Sequence, residues 1–81
     1  MKTFHLTVAK VGENLFDGEA LSVTVPGSEG ELTILAGHEA YVSPLTKGVV
    51  RIVNSQGEVT TLTLVDSGIV EVSANQTTVL L

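Results

Sequence analysis

Turn-forming residues interrupt this chain so often that no amphipathic helix fits between them. Gly12-Glu13-Asn14, Asp17-Gly18, Pro26-Gly27, Ala36-Gly37, Lys47-Gly48, Gln56-Gly57, Asp66-Ser67-Gly68 and Asn75-Gln76 punctuate it from end to end. The intervals leave room for strands of about 4–8 residues. Within them, apolar side chains recur at every second position. Phe4, Leu6 and Val8 alternate with Thr3, His5 and Thr7, and Leu21, Val23 and Val25 alternate with Ser22 and Thr24. Leu62 and Leu64 alternate with Thr61 and Thr63, Val70 and Val72 flank Glu71, and Val79 and Leu81 frame Leu80. A period of two is the mark of a half-buried strand, and the abundant valine and threonine favour the pleated backbone. Asn54-Ser55-Gln56-Gly57, between the Val49–Val53 and Val59–Val65 runs, reads as a hairpin loop. Many short antiparallel strands in one small chain predict a two-layer antiparallel β-sandwich, or flattened barrel, of about 8–10 strands.

Eighty-one residues make one domain, 1–81, without internal repeat or linker. A domain this small buries only roughly 60–65% of the surface its unfolded chain exposes. Yet 43% of its residues are hydrophobic, its mean hydropathy is +0.39, and only 16% are charged. Either a partner covers part of the apolar surface, or a valine-rich β core accounts for the numbers. Four basic residues against nine acidic ones give a net charge of -5, which repels phosphate backbones and argues against nucleic acid. The absence of cysteine excludes disulfides and thiolate metal sites. Met1-Lys2-Thr3-Phe4-His5 opens no apolar signal segment, and no apolar run approaches the roughly 20 residues of a membrane span. A soluble protein without direct membrane insertion is expected, and its Met1 start favours a bacterial source.

The densest run of turn signals lies in Val25-Pro26-Gly27-Ser28-Glu29-Gly30-Glu31-Leu32-Thr33-Ile34-Leu35-Ala36-Gly37-His38. Glycines so spaced mark backbone positions that need a positive φ or a close approach, so a shaped double turn is expected. Leu45 and the run Gly48-Val49-Val50-Arg51-Ile52 follow it, Phe16-Asp17-Gly18 precedes it, and Gly68-Ile69-Val70-Glu71-Val72 and Asn75 lie downstream. In order and spacing these elements resemble the N-terminal β-sandwich domain of the epsilon subunit of F-type ATP synthases, whose mitochondrial counterpart is called delta. The resemblance runs from about Phe4 to Leu80. It departs from the family pattern at Thr33, where a glycine is usual, at Ala36, where a proline is usual, and at Glu39-Ala40, which replace a small residue and proline.

The resemblance implies a non-catalytic subunit of the central stalk that couples the gamma subunit to the membrane rotor ring of c subunits. It makes Glu31, His38 and Glu29 candidates for contact with the rotor ring, and Tyr41, Val42 and Pro44 candidates for contact with gamma. It further implies a peripheral place on a membrane complex, at the cytoplasmic side of the inner (plasma) membrane. The family's C-terminal helical hairpin, which restrains ATP hydrolysis and in some members binds nucleotide, has no counterpart in this sequence, so neither inhibition of that kind nor an ATP site is expected.

Read without the resemblance, the polar residues suggest little chemistry. Glu31, His38 and Glu39 offer too few convergent ligands for zinc or iron, so no metal or other cofactor is expected. His5 reads as a solvent-facing strand histidine. Gly27-Ser28-Glu29-Gly30 lacks the nucleophile-elbow pattern, and Thr46-Lys47-Gly48 lacks the order and helix of a phosphate loop. Asn75-Gln76-Thr77 matches a glycosylation acceptor but is better read as the turn before the last strand. Outside the family reading, a stand-alone β-sandwich module for a small ligand or carbohydrate is the alternative. One tyrosine, two phenylalanines and no tryptophan offer it little aromatic platform.

Overall fold

The computed structural model describes residues 2–81, and Met1, on which the bacterial expectation rests, lies outside them. Eight strands follow one another: β1 (Phe4–Lys10), β2 (Glu13–Gly27), β3 (Gly30–Leu35), β4 (Tyr41–Leu45), β5 (Gly48–Asn54), β6 (Val59–Leu64), β7 (Gly68–Ser73) and β8 (Gln76–Leu80). Seven of them have the length that the turn spacing predicts. The exception is β2, whose 15 residues run straight through Asp17-Gly18. That dipeptide makes no turn because it is paired on β1, with Asp17 opposite Thr7 and Gly18 opposite Leu6. His5 and Thr7 also engage the Asp17 carboxylate, at 2.7 and 3.4 Å. Cross-strand pairing outweighs a local turn preference here.

Its length lets β2 serve two sheets. Glu13–Ala20 pairs antiparallel with β1, Ser22–Gly27 pairs antiparallel with β3, and β5 pairs with Ala20–Thr24. The register against β5 shifts between Ala20 and Ser22. A residue inserted there inverts the side-chain alternation, so Ala20 and Val23 are both buried although three positions apart. Leu21 is consequently half-buried, where strict alternation with Val23 and Val25 would bury it fully.

One sheet continues from β1 through β8 and β7 to β4, and the other comprises β3, β2, β5 and β6. The first closes on itself through a bridge between Gly27 of β2 and Leu45 of β4. The antiparallel sandwich is as expected: among the described residues all pairings but one are antiparallel, the exception being β1 with β8. The cause is arithmetic. The ring β1–β2–β4–β7–β8 has five members, and an odd ring cannot be closed by antiparallel pairs alone.

Inward-facing residues of the two sheets meet in one core. Phe4, Leu6, Val8, Val70, Val72 and Val79 contribute from one sheet, and Val23, Val25, Ile34, Val50, Ile52 and Leu64 from the other. Along β5 the alternation is strict: Val50 and Ile52 are buried, while Val49 is 54% exposed. Removing the side chain of Ile52 leaves a cavity in a closed interior, whereas removing that of Val49 does not. Ile52→Ala should lower stability by about 2–5 kcal/mol in urea denaturation, and Val49→Ala by no more than about 0.5 kcal/mol.

Candidate docking surface

The glycine-rich segment folds as β3 flanked by two turns, and each turn is shaped by a glycine for a different reason. At the β2–β3 hairpin the obstacle is proximity. A Cβ on Gly27 would lie 2.6 Å from the carbonyl oxygen of Gly30, so only glycine fits without displacing backbone. After β3 the requirement is conformational: Gly37 has φ +82°, and the turn closes through a bond from the His38 N–H to the Leu35 carbonyl, 3.2 Å long.

These turns place the candidate residues. Glu29 sits in the β2–β3 turn and Glu31 on β3 opposite Pro26, both exposed. His38 lies in the β3–β4 connection, its Nδ1 2.8 Å from the Glu39 carbonyl oxygen. Its ring meets Tyr41 edge-on, with centroids 6.1 Å apart and planes at 66°, a favourable aromatic geometry. Tyr41, Val42 and Pro44 are exposed along β4, while Ser43 and Leu45 turn inward. Core packing therefore takes neither Tyr41 (43% exposed) nor Val42 (58% exposed).

Two backbone bonds tie the β2–β3 turn to β4, from Ser28 N–H to the Pro44 carbonyl (3.2 Å) and from Thr46 N–H to the Pro26 carbonyl (2.9 Å). Between the tied elements lies a depression of about 440 Å³, lined by Glu29, Glu31, Leu32, Tyr41, Val42 and Pro44 among others. Five of the six candidate residues border this one depression, and the sixth, His38, adjoins it through its ring contact with Tyr41. The two sets that the resemblance assigns to different partners thus adjoin. No lining residue is basic, so the depression combines acidic side chains with apolar and aromatic ones. Such a surface suits polar or basic loops with an apolar anchor. Leu32, Ser28 and Ser43 also line it and were not among the candidate contact residues, because nothing in a leucine or serine of a strand-and-turn pattern signals a place at a groove.

The other histidine is better partnered than its sequence context suggests. His5 is solvent-facing, as expected, at 44% side-chain exposure, but its Nε2 lies 2.7 Å from Asp17 Oδ1 and its Nδ1 3.5 Å from Glu19 Oε2. Thr3 adds a 2.8 Å bond to Glu19. The carboxylates stand on opposite sides of the imidazole ring, so the three groups do not converge on one point. They form a cross-strand ladder on the β1–β2 face, of modest worth at this exposure. Among the described residues no three His, Asp or Glu side chains are arranged to hold a metal ion.

Comparison with known proteins agrees with the fold. A family profile described as the beta-sandwich domain of the ATP synthase delta/epsilon chain matches residues 3–81. The chain is 41% identical over 80 residues to the ATP synthase epsilon chain of Bordetella petrii, and 42% identical over 81 residues to that of Bordetella avium. In both cases 99% of this chain and 56% of the relative are aligned, so it spans about half the length of the curated relatives it matches. Among solved structures, it is similar to a chain in Euglena gracilis mitochondrial ATP synthase with OSCP, F1 and c-ring, at a TM-score of 0.88 and 22% identity, over 96% of this chain and 49% of that one. A chain of the Tetrahymena thermophila mitochondrial central stalk and c-ring superposes with a TM-score of 0.82 at 16% identity, over 98% and 63%. At those identities the two likenesses speak to the fold.

The close approach at Gly27 sets a direct check on how the depression is held. Gly27→Ala should cost about 1–3 kcal/mol in urea denaturation, because the obstructing atom is backbone and cannot rotate away. Amide NMR shifts should move at Ser28, Glu31 and Thr46, and stay in place at β1 and β8.

Proposed function

Because this chain belongs to the ATP synthase delta/epsilon family, through that family's β-sandwich domain, we propose that it is a non-catalytic central-stalk component of a rotary F-type ATP synthase. It joins the gamma subunit to the membrane rotor ring, so that ion flow through the membrane sector reaches the catalytic sites as torque. The observation that carries this reading is the family match across residues 3–81, nearly the whole chain.

The geometry supports a mechanism without chemistry. A part that transmits torque must not yield between its two contacts, and close-packed sheets deform less than loops. The depression between the β2–β3 turn and β4 supplies both contacts close together, with Glu29, Glu31 and His38 toward the rotor ring and Tyr41, Val42 and Pro44 toward gamma. The two backbone bonds that tie Ser28 to Pro44 and Thr46 to Pro26 join these contacts directly, beside the common core that Ile34 and Leu45 share. The apolar and aromatic residues contribute most of the affinity, and the carboxylates mainly set register. No helix among the described residues is long and apolar enough to cross a membrane. The domain is held at the membrane through its partners, on the cytoplasmic side of the inner membrane.

Mixing the chain with the gamma subunit of the same enzyme should give a one-to-one complex by size-exclusion chromatography with light scattering. Tyr41→Ala combined with Val42→Ser should weaken it about tenfold or more. Glu31→Ala with His38→Ala should leave the gamma complex intact and reduce retention of the rotor ring. Two folded proteins that do not associate would overturn the proposal.

A further inference from the structure

The open sheet turns one face to the core and the other outward, and the outward face has a single cation at its middle. Its central row crosses all four strands. Thr33 of β3 stands opposite Thr24 of β2, Thr24 opposite Arg51 of β5, and Arg51 opposite Thr61 of β6. The same registers join Leu35, Ser22, Val53 and Val59 into the next row. On the other side of Arg51, Val49 pairs with Thr63. Alternation directs these side chains outward, because Val23, Ile34, Val50 and Ile52 between them are buried.

Arg51 is exposed, and among the described residues its guanidinium enters no ion pair: the recorded pairs join His5 to Asp17 and Glu19, and Lys10 to Glu13. Thr24 and Thr33 bond to each other at 3.0 Å and not to Arg51. Leu35, Val49 and Val59 are each more than half exposed. Glu31 shares the face only at a corner, opposite Pro26, with β2 between it and Arg51. The result is an unmatched guanidinium in an aliphatic and hydroxyl surround, and the group whose shape and charge fit its fork of N–H donors is a carboxylate.

Charge and area decide between occupants. A net charge of -5 repels nucleic acid and anionic lipid alike. Arg51 lines neither the depression beside β4 nor the smaller ones at Lys2, so no cavity encloses a small ligand there. Strands about 4.8 Å apart and side-chain rows about 6.8 Å apart give this face roughly 400 Å², about half of what each partner in a stable interface buries. Two copies meeting on so small an area would also bring together the same net charge.

We propose that this face docks another protein, through a surface that sets one aspartate or glutamate among aliphatic side chains. The carboxylate pairs with Arg51 at the centre, and contact with Val49, Val53 and Thr61 around it excludes water and supplies apolar burial. Of this face only Glu31 borders the depression, so the inference stands independently of the rotor reading.

The test uses the amphipathic peptide KQLAQLEAQLAQLK, whose leucine stripe carries one central glutamate, and its counterpart KQLAQLKAQLAQLK, with lysine at that place. Both are labelled for fluorescence anisotropy at concentrations where each is monomeric. The glutamate peptide should bind at least fivefold more tightly, although the acidic chain attracts the more basic peptide at long range. Its binding should move amide NMR shifts at Thr24, Val49, Arg51, Val53 and Thr61, and leave those of Tyr41, Val42 and Ile69 in place. Arg51→Gln should remove the preference and Arg51→Glu should reverse it; both substitute an exposed side chain that holds no partner in the fold. Absence of binding, equal affinity or preference for the lysine peptide, shifts centred elsewhere, indifference to both substitutions, or self-association of the unmodified chain through this face would each overturn the proposal.

Discussion

The register shift in β2 between Ala20 and Ser22 is the constraint on which the rest of this fold depends. A strand that kept strict alternation over fifteen residues would present one continuous face and could line only one sheet. The inserted residue lets the first half of β2 turn Ala20 inward beside β1, and the second half turn Val23 and Val25 inward beside β3 and β5. Both sheets are then anchored on a single covalent element, and the core of a small domain is enclosed without a separate connecting layer. The β2–β3 turn, the bridge from Gly27 to Leu45, and the β5–β6 arm all hang from the second half.

Closure and openness follow from the same topology. The sheet containing β1, β8, β7 and β4 rejoins β2 and has its odd membership resolved by one parallel pair. The other sheet does not close, and it leaves β3 and β6 as edges. The proposed contacts fall where this second sheet ends, at the mouth between β3 and β4. A closed ring has its backbone groups spent on itself; the strand ends and edges retain both hydrogen-bonding groups and freedom of side-chain choice.

Local chemistry made much of this legible in the sequence. Period-two runs located the buried faces of β1, β7 and the second half of β2, since Phe4, Leu6, Val8, Val23, Val25, Val70 and Val72 are all in the core. The glycines of the Val25–His38 stretch indicated shaped turns, and Gly27 and Gly37 satisfy the two reasons a turn demands glycine. What stayed hidden depends on pairing between distant segments. Asp17-Gly18 has the composition of a turn, and only the presence of β1 alongside makes it strand. The carboxylate partners of His5 lie 12 and 14 residues away, joined to it by a register that no local window contains. The meeting of Glu31 with the Tyr41–Pro44 segment likewise arises from β2 bonding to both β3 and β4 at Gly27. The family resemblance identified those residues as candidates without indicating that they share one depression.

The apolar composition can now be divided between its two explanations. Among the described residues fourteen hydrophobic ones are buried in one core, which accounts for much of the positive mean hydropathy without a partner. The remainder is spread over both sheets and over turns such as those of Val11 and Val65. Val42 and Tyr41 sit at the depression, Val49 and Val59 lie on the outer face of the open sheet, and Ile69 and Leu80 are paired neighbours on β7 and β8. Single exposed hydrophobes need no explanation in a protein whose surface is mostly apolar by area. Adjacent ones on strands with the β-branched character of a buried sheet do require one, because each leaves transfer free energy unused that a contact could recover. A domain of this size has little interior left to fill, so further apolar area can be covered only from outside. In this chain the surplus lies on both sheets, Val49 and Val59 on the open one and Tyr41, Val42, Ile69 and Leu80 on strands of the closed one, which is the arrangement expected of a domain that completes its packing by assembly.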